Sequence, residues 1–394
     1  MRIGDTEIGL EHPPYVIAEI GVNHDGEVGR ALELTDAAAD AGADAVKLQY
    51  FETDRLMSKA AKLAAYQKAA GETDPIEMLR RLELTLDEMA KVVDRAHECG
   101  IHAIVTVFSV ELVERAETLG WDAYKSASPD IVNKPLLDAI AGTGKPLIVS
   151  TGASTLDEVV RAAGWLEGAR DRLAMLQCVS SYPAPEDALG GIKVLVDALS
   201  IPVGYSDHTR EMGTGAAAVS IGASILEKHF TDDCKRQGPD HKASLHYSQL
   251  RTYCDGARFA VSDGRKSFEI MINTPYCAAG PEEIEDLGDL PDDLFDQLHA
   301  LDNLIGYEVA ISEPIRKEVL DCERDVREVS RQSVVAAQPI LEGTTITRDM
   351  LTIKRPGTGI LAYRIEDVVG TIAQRDIDGD VPIVEDDIAA LERA

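Results

Sequence analysis

Short apolar runs and helical stretches alternate along the first two-thirds of the chain, and this alternation is the feature that most limits its fold. The two clearest helical stretches span residues 27–42 and 155–169. The apolar runs occupy residues 15–21, 43–51, 101–109, 122–128, 146–152, 173–180, 202–207 and 224–230. Near-continuous apolar strands separated by helices are typical of a parallel sheet covered by helices. Eight such units in about 260 residues predict a (β/α)8 TIM barrel.

An open, doubly wound sheet is the alternative to the barrel. Such a sheet usually carries a glycine-rich phosphate loop, GxGxxG, after its first strand. After its first apolar run this chain has instead GVNHDGEVG, residues 21–29. We therefore favour a closed catalytic barrel over residues 1–265.

The last third of the chain changes character twice. Residues 266–325 include acidic, helix-like segments such as PEEIEDLGDLPDDLFDQL, which we interpret as a linker with helical segments. From residue 326 onward, short strand-like runs alternate with turn residues, as in SVVAAQPILEGTTIT. These runs predict a small, separate β-rich domain over residues 326–394.

The charge balance limits the partners of the protein. Its 394 residues include 39 basic and 69 acidic residues, for a formal net charge of −30. We expect no nucleic-acid partner, because this charge repels phosphate. It also favours a halophilic, salt-adapted protein, since salt would screen the self-repulsion. An ordinary acidic cytosolic protein is the alternative.

Cysteine placement and hydropathy predict a cytoplasmic location. The six cysteines are scattered and form no CxxC pair, which fits a reducing compartment. The first fourteen residues are polar and have no apolar signal core. The longest weakly polar run, residues 212–226, is shorter than a membrane span, so we expect no membrane association.

Polar side chains lie at the predicted carboxyl end of every apolar run. In a (β/α)8 barrel this end is the reactive face. Pairs such as 206/208 and 227/229 point the same way, because strand side chains alternate. Burying so many polar groups without a ligand would be costly, so a binding site is predicted here. The candidates are Glu19, Lys47, Gln49, Thr106, Lys125, Ser128, Ser150, Ser180, Tyr182, Ser206, His208, Glu227 and His229.

Two histidines occupy matching positions on strands that would be neighbours in the barrel. His208 ends the seventh run and His229 ends the eighth, with Glu227 close by. Imidazoles so placed could approach one ion, which would make a divalent metal site. A purely structural role for both histidines is an equal alternative.

Two lysines at the predicted barrel mouth suggest an anionic ligand. Lys47 and Lys125 would point inward, where an ammonium group needs a negative partner. Serine hydroxyls at the same end could donate to a phosphate. These hydroxyls belong to Ser128, Ser150, Ser180 and Ser206. We favour a phosphorylated substrate, and lysines that extend to solvent are the alternative.

A series of linked motifs resembles one enzyme family. The motifs IAEIGVNHDG, VKLQYF, YKSASPD, PLIVSTGAS, QCVSSYPAP, GYSDHT, LEKHFT and GPDHKASL occur in this order over residues 15–245. The tail, with SVVAAQPILEGTTIT and KRPGTGI, resembles the antifreeze-like (SAF) domain. Together they are similar to the sialic acid synthases, the N-acetylneuraminate synthase family, over nearly the whole chain.

The resemblance implies a reaction, a metal and an assembly. Phosphoenolpyruvate would condense with an N-acetylmannosamine-type aldose and water to give a nine-carbon 2-keto sugar acid, N-acetylneuraminate, and phosphate. His208 and His229 would hold a divalent metal, manganese in the first place, with magnesium or cobalt as alternatives. The protein would be a domain-swapped homodimer.

The resemblance also implies roles for individual residues. Catalytic roles fall to Glu19, Glu227 and Lys125. Phosphoenolpyruvate would be surrounded by Lys47, Thr106, Lys125, Ser128, Ser150, Ser180 and Ser206. The sugar would be held or polarised by Glu19, Gln49, Tyr182, Glu227 and Asp240. Arg355, in KRPGTG, would reach the N-acetyl group from the small domain of the partner chain.

Two positions depart from the family pattern, and two other functions stay open. Some members have an asparagine where this chain has Ser180, and ALGGIKVL follows YPAPED in place of the more usual Asn-Leu segment. A related synthase for legionaminic, pseudaminic or another keto-sugar acid is one alternative. A non-catalytic sugar-binding protein is the other, although a binder would not need the lysine and histidine set.

Overall fold

A computed structural model describes residues 1–185, 187–262 and 316–389. Eight parallel strands close into a barrel in which each strand pairs with the next along the chain and the last pairs with the first. The strands are β1 Tyr15–Glu19, β2 Ala45–Tyr50, β3 His102–Val107, β4 Ala123–Ser126, β5 Leu147–Ser150, β6 Leu173–Cys178, β7 Val203–Asp207 and β8 Ile225–His229. The predicted closed barrel is therefore confirmed.

A helix follows each barrel strand. The helices are α1 Val28–Asp40, α2 Leu86–Glu98, α3 Val110–Ala116, α4 Lys134–Gly142, α5 Leu156–Trp165, α6 Gly190–Leu199, α7 Thr214–Ser220 and α8 Tyr247–Ser262. The local sequence determines where two of these helices begin. Thr85 forms a capping box with Glu88 at the start of α2, and Thr155 forms one with Glu158 at the start of α5. Among the described helices, none combines the length and apolar composition that a membrane span requires.

Shorter helices lie in the connections. Three α-helical turns in the long connection from β2 to α2 are Thr53–Leu56, Ala65–Ala69 and Pro75–Arg80. Among the 3-10 turns are Ser128–Val132, Glu167–Arg172, His241–Ala243, Asp321–Glu323, Arg348–Met350, Ala362–Arg364 and Glu385–Asp387. The β2 to α2 connection thus brings residues distant from any strand to the barrel mouth.

The barrel interior is apolar at one end only. Inward side chains such as Ile17, Ile104 and Ile148 form a buried cluster toward the amino ends of the strands. A hairpin of Arg2–Ile3 and Thr6–Glu7 contributes Ile3 to this cluster. Toward the carboxyl ends the inward side chains become polar, so a polar ligand site is expected at that face.

The small domain follows helix α9 Arg324–Ser330. Its strands β9 Ser333–Ala336 and β10 Leu351–Lys354 pair antiparallel. The other described pairings are single bridges, such as Ile340 with Ile377. Val334, Ile346 and other aliphatic side chains form its own buried core, as the β-rich texture predicts. The predicted helical linker falls mostly in residues 263–315, outside the described residues.

Candidate active site

The carboxyl ends of the barrel strands surround a pocket of about 910 Å³, mouth included. Every site residue predicted from the sequence lines it, although their distances along the chain are large. They are Glu19, Lys47, Gln49, Thr106, Lys125, Ser128, Ser150, Ser180, Tyr182, Ser206, His208, Glu227, His229, Asp240 and Arg355.

Glu227 is central to the charged network of the pocket. Its Oε1 accepts hydrogen bonds from Lys125 Nζ and Ser206 Oγ, each at 2.9 Å. Burial acts to raise the pKa of Glu227, but Lys125 and Lys47 outweigh burial and lower this pKa to about 2. Its Oε2 has no hydrogen-bond partner among the described residues. The carboxylate is therefore ionised, with one oxygen available to a ligand.

Lys47 supplies a second ammonium group. Its Nζ contacts a carboxylate oxygen of Glu19 and donates to Thr106 Oγ1 at 2.9 Å. The side chains of Lys47 and Glu19 are only 3% and 1% exposed. Burial lowers the pKa of Lys47 to about 7, against the opposing attraction of Glu227. An anion in the pocket would stabilise its charged form, which fits the predicted anion site.

Three serines form a hydroxyl cradle, which we define as Ser128, Ser150 and Ser180. The backbone N–H of Gly152 donates to Ser128 Oγ at 2.9 Å. A Cβ at Gly152 would lie 2.2 Å from Ser180 Oγ and 2.9 Å from Ser128 Oγ, so only glycine fits between them. Ser150 Oγ has no hydrogen-bond partner in the described part of the chain. The cradle thus presents hydroxyl donors to the pocket.

His208 and His229 face each other, with ring centroids 5.3 Å apart. His208 Nδ1 donates to the Val179 carbonyl at 2.7 Å, so Nε2 is the nitrogen left for a ligand. Burial acts to lower the pKa of His208, but the interactions with Cys178 and the Val179 carbonyl outweigh burial and raise this pKa. Burial lowers the pKa of His229 well below its ordinary value, so this ring is neutral. Its Nδ1 is buried, without a hydrogen-bond partner among the described residues.

These two imidazoles fit a divalent metal. Each ring has a nitrogen available, and a bound metal would favour the neutral form of the His208 ring, as ligation requires. Asp240 lies close by, with Oδ2 at 3.7 Å from His229 Nδ1. Within the described ranges, no cluster of three or more potential metal-binding side chains is found. The residues therefore suit a site in which the protein supplies two ligands, and water or substrate completes the coordination.

A buried ion pair lies directly behind the histidines. Lys228 Nζ is 2.9 Å from Asp207 Oδ2, and both side chains are fully buried. Asp207 also accepts from the Thr209 N–H and hydroxyl, at 2.9 and 2.8 Å, and from the Thr214 hydroxyl. Lys228 Nζ donates to the Thr209 carbonyl at 2.8 Å. The pair therefore fixes the backbone on both sides of His208, a role that the sequence analysis did not predict.

Aromatic side chains close one side of the pocket. The ring of Tyr182 lies 4.1 Å from that of His208, between centroids, and 4.8 Å from that of Tyr66. Tyr66 belongs to the short helix Ala65–Ala69, and sequence reasoning missed it because it follows no strand. The pocket also has an apolar wall, which sequence reasoning missed too. This wall is made of Val22, Phe51, Leu56, Met78, Leu79, Leu82 and Phe108.

Arg355 enters this pocket from the small domain of the same chain. Its backbone N–H donates to the Leu56 carbonyl at 2.8 Å, and its carbonyl accepts from Ser58 Oγ at 2.7 Å. Its guanidinium carbon lies 5.5 Å from the centroid of Phe108. The sequence interpretation places this arginine in the barrel of a partner chain instead. The connection through residues 263–315 lies outside the described residues, so an exchange of small domains stays a prediction.

The fold and the pocket place this protein in a class of (β/α)8 proteins. In this class a small C-terminal β domain completes a polar site at the mouth of the barrel. The chain belongs to the NeuB family, whose model matches residues 34–265, and an SAF domain model matches residues 331–389. These matches confirm the resemblance drawn from the motifs.

Similar proteins support this assignment over nearly the full length. The chain is 34% identical to the N,N'-diacetyllegionaminic acid synthase of Campylobacter jejuni over 377 residues, 94% of this chain and 98% of that protein. It is 29% identical to the N-acetylneuraminate-9-phosphate synthase of Mus musculus over 354 residues, 88% of this chain and 84% of that one. The crystal structure of SpsE, a spore coat polysaccharide biosynthesis protein of Bacillus subtilis, matches with a TM-score of 0.75 and 27% identity, covering 99% of both chains.

Proposed function

We propose that this protein condenses phosphoenolpyruvate with an N-acetylated aldose of the mannosamine type and water, to give a 2-keto sugar acid and phosphate. The observation that carries the proposal is the pocket in which two buried ammonium groups, the hydroxyl cradle and two buried imidazoles meet. Membership of the NeuB family and the synthase names of similar proteins support it.

The phosphate end of the substrate would lie against the cradle. Lys47, Lys125 and the cradle hydroxyls would bind the phosphate of phosphoenolpyruvate, and Thr106 and Ser206 would hold the lysine and Glu227 side chains in place. These donors are fixed before the substrate arrives, so little reorganisation is needed as charge develops. The lysines would stay paired with the phosphate as it leaves.

The sugar would lie toward the histidines. Its hydroxyls face Glu19, Gln49, Tyr182 and Asp240, which line this part of the pocket. The planar donor group of Arg355 suits the carbonyl of the acetamido group. A divalent metal, manganese in the first place, would be held by His208 and His229 and would polarise the aldehyde oxygen as a Lewis acid.

The chemistry follows from this arrangement. C3 of phosphoenolpyruvate attacks the aldehyde carbon of the open-chain sugar, forming the new C–C bond and leaving an oxocarbenium ion at C2. Water adds to C2, and the C2–O bond to phosphate then breaks, leaving the 2-keto group. The ionised Glu227 has one oxygen available, so it can accept a proton from the attacking water. This proton then passes to the alkoxide formed from the aldehyde, and the remaining proton of the added hydroxyl leaves with the phosphate as the C2–O bond breaks.

A sugar with two acetamido groups is the second candidate. The observation that favours it is the apolar wall beside Arg355, which would cover a second acetyl methyl group better than a free hydroxyl. The name of the Campylobacter relative describes a product with two acetyl groups. Both candidates share the same reaction and differ in the part of the sugar that meets this wall.

Phosphate release tests the proposal. The protein is incubated with phosphoenolpyruvate, Mn²⁺ and a panel of aldoses that carry one, two or no acetamido groups. We expect release only when an acetamido sugar is present, and loss of release in Lys125→Met. Lys134→Met, in an exposed pair with Asp138, is the matched control and should keep full activity. Absence of sugar-dependent release across the panel would contradict the proposal and favour a sugar-binding protein.

Assembly and location complete the proposal. We propose a homodimer with exchanged small domains, in which Arg355 serves the barrel of the partner, and a cytoplasmic location. The family resemblance supports the homodimer with exchanged small domains, and the scattered cysteines support the cytoplasmic location. Both the exchanged and the self-contained arrangement would place an arginine at each pocket, and they differ only in the chain that supplies it.

A further inference from the structure

A docking segment, residues 316–330, lies between the ranges matched by the two family models. It packs against the barrel with buried charged groups. Lys317 Nζ donates to the Thr151 carbonyl at 2.6 Å. Arg327 donates to the Ala153 carbonyl and, at 2.8 Å, to Glu158. The segment thus binds the loop that follows β5, directly behind the hydroxyl cradle.

Glu323 makes the most specific contact of this segment. Its side chain is buried, with the residue 1% exposed. One oxygen, Oε1, accepts from the backbone N–H groups of both Ala153 and Ser180, each at 2.7 Å. The other oxygen accepts from the N–H of Leu320 at 3.0 Å. A single carboxylate oxygen therefore sets the spacing between the β5 loop and the β6 loop.

Two of the three cradle serines lie in or directly before these two loops. Ser150 ends β5 and lies three residues before Ala153, while Ser180 itself donates to Glu323. Ala153 has a φ of 50°, a left-handed conformation that is costly for a residue with a Cβ. Glu323 holds its N–H and Arg327 holds its carbonyl. The strained turn is thus fixed from outside the barrel.

The carboxylate of Glu323 lies behind the cradle that is proposed to bind phosphate, so its negative charge must be compensated by nearby groups. The two backbone N–H groups supply part of this compensation, since a charged acceptor makes strong hydrogen bonds. The ammonium group of Lys317 lies near enough for its charge to interact with that of Glu323. Leu320, between them, packs against Val179 and Ala184. The carboxylate of Glu323 is therefore compensated by groups of its own surroundings, and we infer that it acts on the pocket through the geometry of the two loops.

We propose that Glu323 is a positioning residue for the phosphate end of the pocket, and that the barrel cannot bind phosphoenolpyruvate at full strength without the docking segment. The inference rests on the proposed function, in which the cradle binds that phosphate. Replacing Glu323 would leave two buried N–H groups without a charged acceptor and let Ser150 and Ser180 move apart. Affinity for phosphoenolpyruvate should fall, while the sugar end of the pocket should be unaffected.

Three variants of the full chain test this inference. Glu323→Gln keeps the shape but replaces one acceptor oxygen by a donor, and Lys317→Met removes the neighbouring contact to Thr151. The control is Asp44→Asn, whose carboxylate likewise accepts from a backbone N–H, that of Val16 at 2.7 Å, at the opposite end of the barrel. The assays are the KM for each substrate, kcat, and calorimetric binding of phosphoenolpyruvate and of inorganic phosphate.

Glu323→Gln should raise both the KM and the Kd for phosphoenolpyruvate by about tenfold or more, a loss expected when binding groups are misplaced. The KM for the sugar should change by less than about twofold, as should every constant of the Asp44→Asn control. An unchanged affinity for phosphoenolpyruvate would overturn the inference, and so would an equal rise in both KM values. If Glu323→Gln does not fold, Lys317→Met decides by the same criteria.

Failure of the proposed function gives a different result. If the wild type releases no phosphate with any sugar, the proposed reaction is wrong. Calorimetric binding of phosphoenolpyruvate and phosphate still tests whether Glu323 is a positioning residue. Weaker binding of phosphoenolpyruvate and phosphate by Glu323→Gln than by Asp44→Asn would support this role. Equal binding by the two variants, or absence of binding by the wild type, would overturn it.

Discussion

Replacing Lys228 by methionine should destabilise the barrel and weaken metal binding together. Lys228 and Asp207 are both fully buried, with Nζ and Oδ2 2.9 Å apart. Methionine preserves the length of the side chain but removes the ammonium group. Asp207 would keep its hydrogen bonds from Thr209 and Thr214, yet its charge would be buried without a counter-ion.

The size of the effect follows from these contacts. Removing one partner of a buried ion pair costs about 3–5 kcal/mol. We expect the lower end, about 3 kcal/mol, because Asp207 retains hydrogen bonds that partly compensate its charge. The double variant Asp207→Asn/Lys228→Met removes both charges and keeps an oxygen acceptor for Thr209. The double variant should lose only about 1 kcal/mol of unfolding free energy, less than Lys228→Met alone, so the effects of the two substitutions should be strongly non-additive.

Urea unfolding, monitored by tryptophan fluorescence, measures the loss of unfolding free energy in the barrel alone. The sequence has two tryptophans, and both Trp121 and Trp165 lie in the barrel, where Trp165 ends helix α5. Calorimetric titration with Mn²⁺ gives the second result. Because the pair fixes the backbone around His208, we expect about tenfold weaker binding in Lys228→Met, the size of effect that outer-shell partners of metal ligands have.

Lys193→Met is the control, since Lys193 forms an exposed pair with Asp197 at 3.6 Å. Exposed pairs contribute about 0–1 kcal/mol, so this variant should unfold almost like the wild type. A Lys228→Met variant that loses no more stability than this control would refute the reasoning. A double variant no more stable than the single one would also refute it, because the unpaired charge would then not be the cause.

Four further predictions concern the metal, the assembly, the salt response and the cradle. Chelation should abolish turnover and His208→Ala should lose Mn²⁺ binding while leaving the fold largely intact, whereas full turnover of chelated protein would exclude a metal role. Refolding His208→Ala with Arg355→Ala should restore about a quarter of wild-type activity if small domains are exchanged in a symmetric dimer. Mixed dimers without activity would show that Arg355 serves its own barrel. Because of the formal net charge of −30, the melting temperature should rise from low to molar salt, and a flat or falling response would contradict salt adaptation. Gly152→Ala places a Cβ 2.2 Å from Ser180 Oγ and should raise the KM for phosphoenolpyruvate, while an unchanged KM would place the phosphate elsewhere.

Local sequence pattern was enough to predict the barrel and most of its pocket. The strands of a parallel barrel are buried on both faces, so each appears as a short apolar run that needs no knowledge of its neighbours. Capping boxes such as Thr155 with Glu158 mark helix starts within four residues of chain. The carboxyl ends of all strands meet at one face, so polar residues there, such as Lys47 and His208, must converge once the barrel is inferred.

The small domain and the linker were less predictable. Strand-like runs indicate a β-rich domain, but the structure forms only β9 and β10 as paired strands, with single bridges between many of the other segments it describes. Turn residues interrupt each run before a longer ladder can form. The chain that supplies Arg355 to a given pocket is also not encoded locally, because it depends on how segments far from this loop in sequence are arranged.

Only the tertiary structure identified Tyr66, the Asp207 and Lys228 pair, and Glu323 as parts of the site or its support. Glu323 meets its partners across 170 and 143 residues of chain, at Ala153 and Ser180. No periodicity or short motif records such a contact, since it depends on where two distant segments are buried together. The sequence by itself determined which side chains at the ends of the strands face the pocket, because strand alternation is local. Their spacing and protonation depend on neighbours that only folding brings within hydrogen-bonding distance, where burial strengthens each electrostatic interaction.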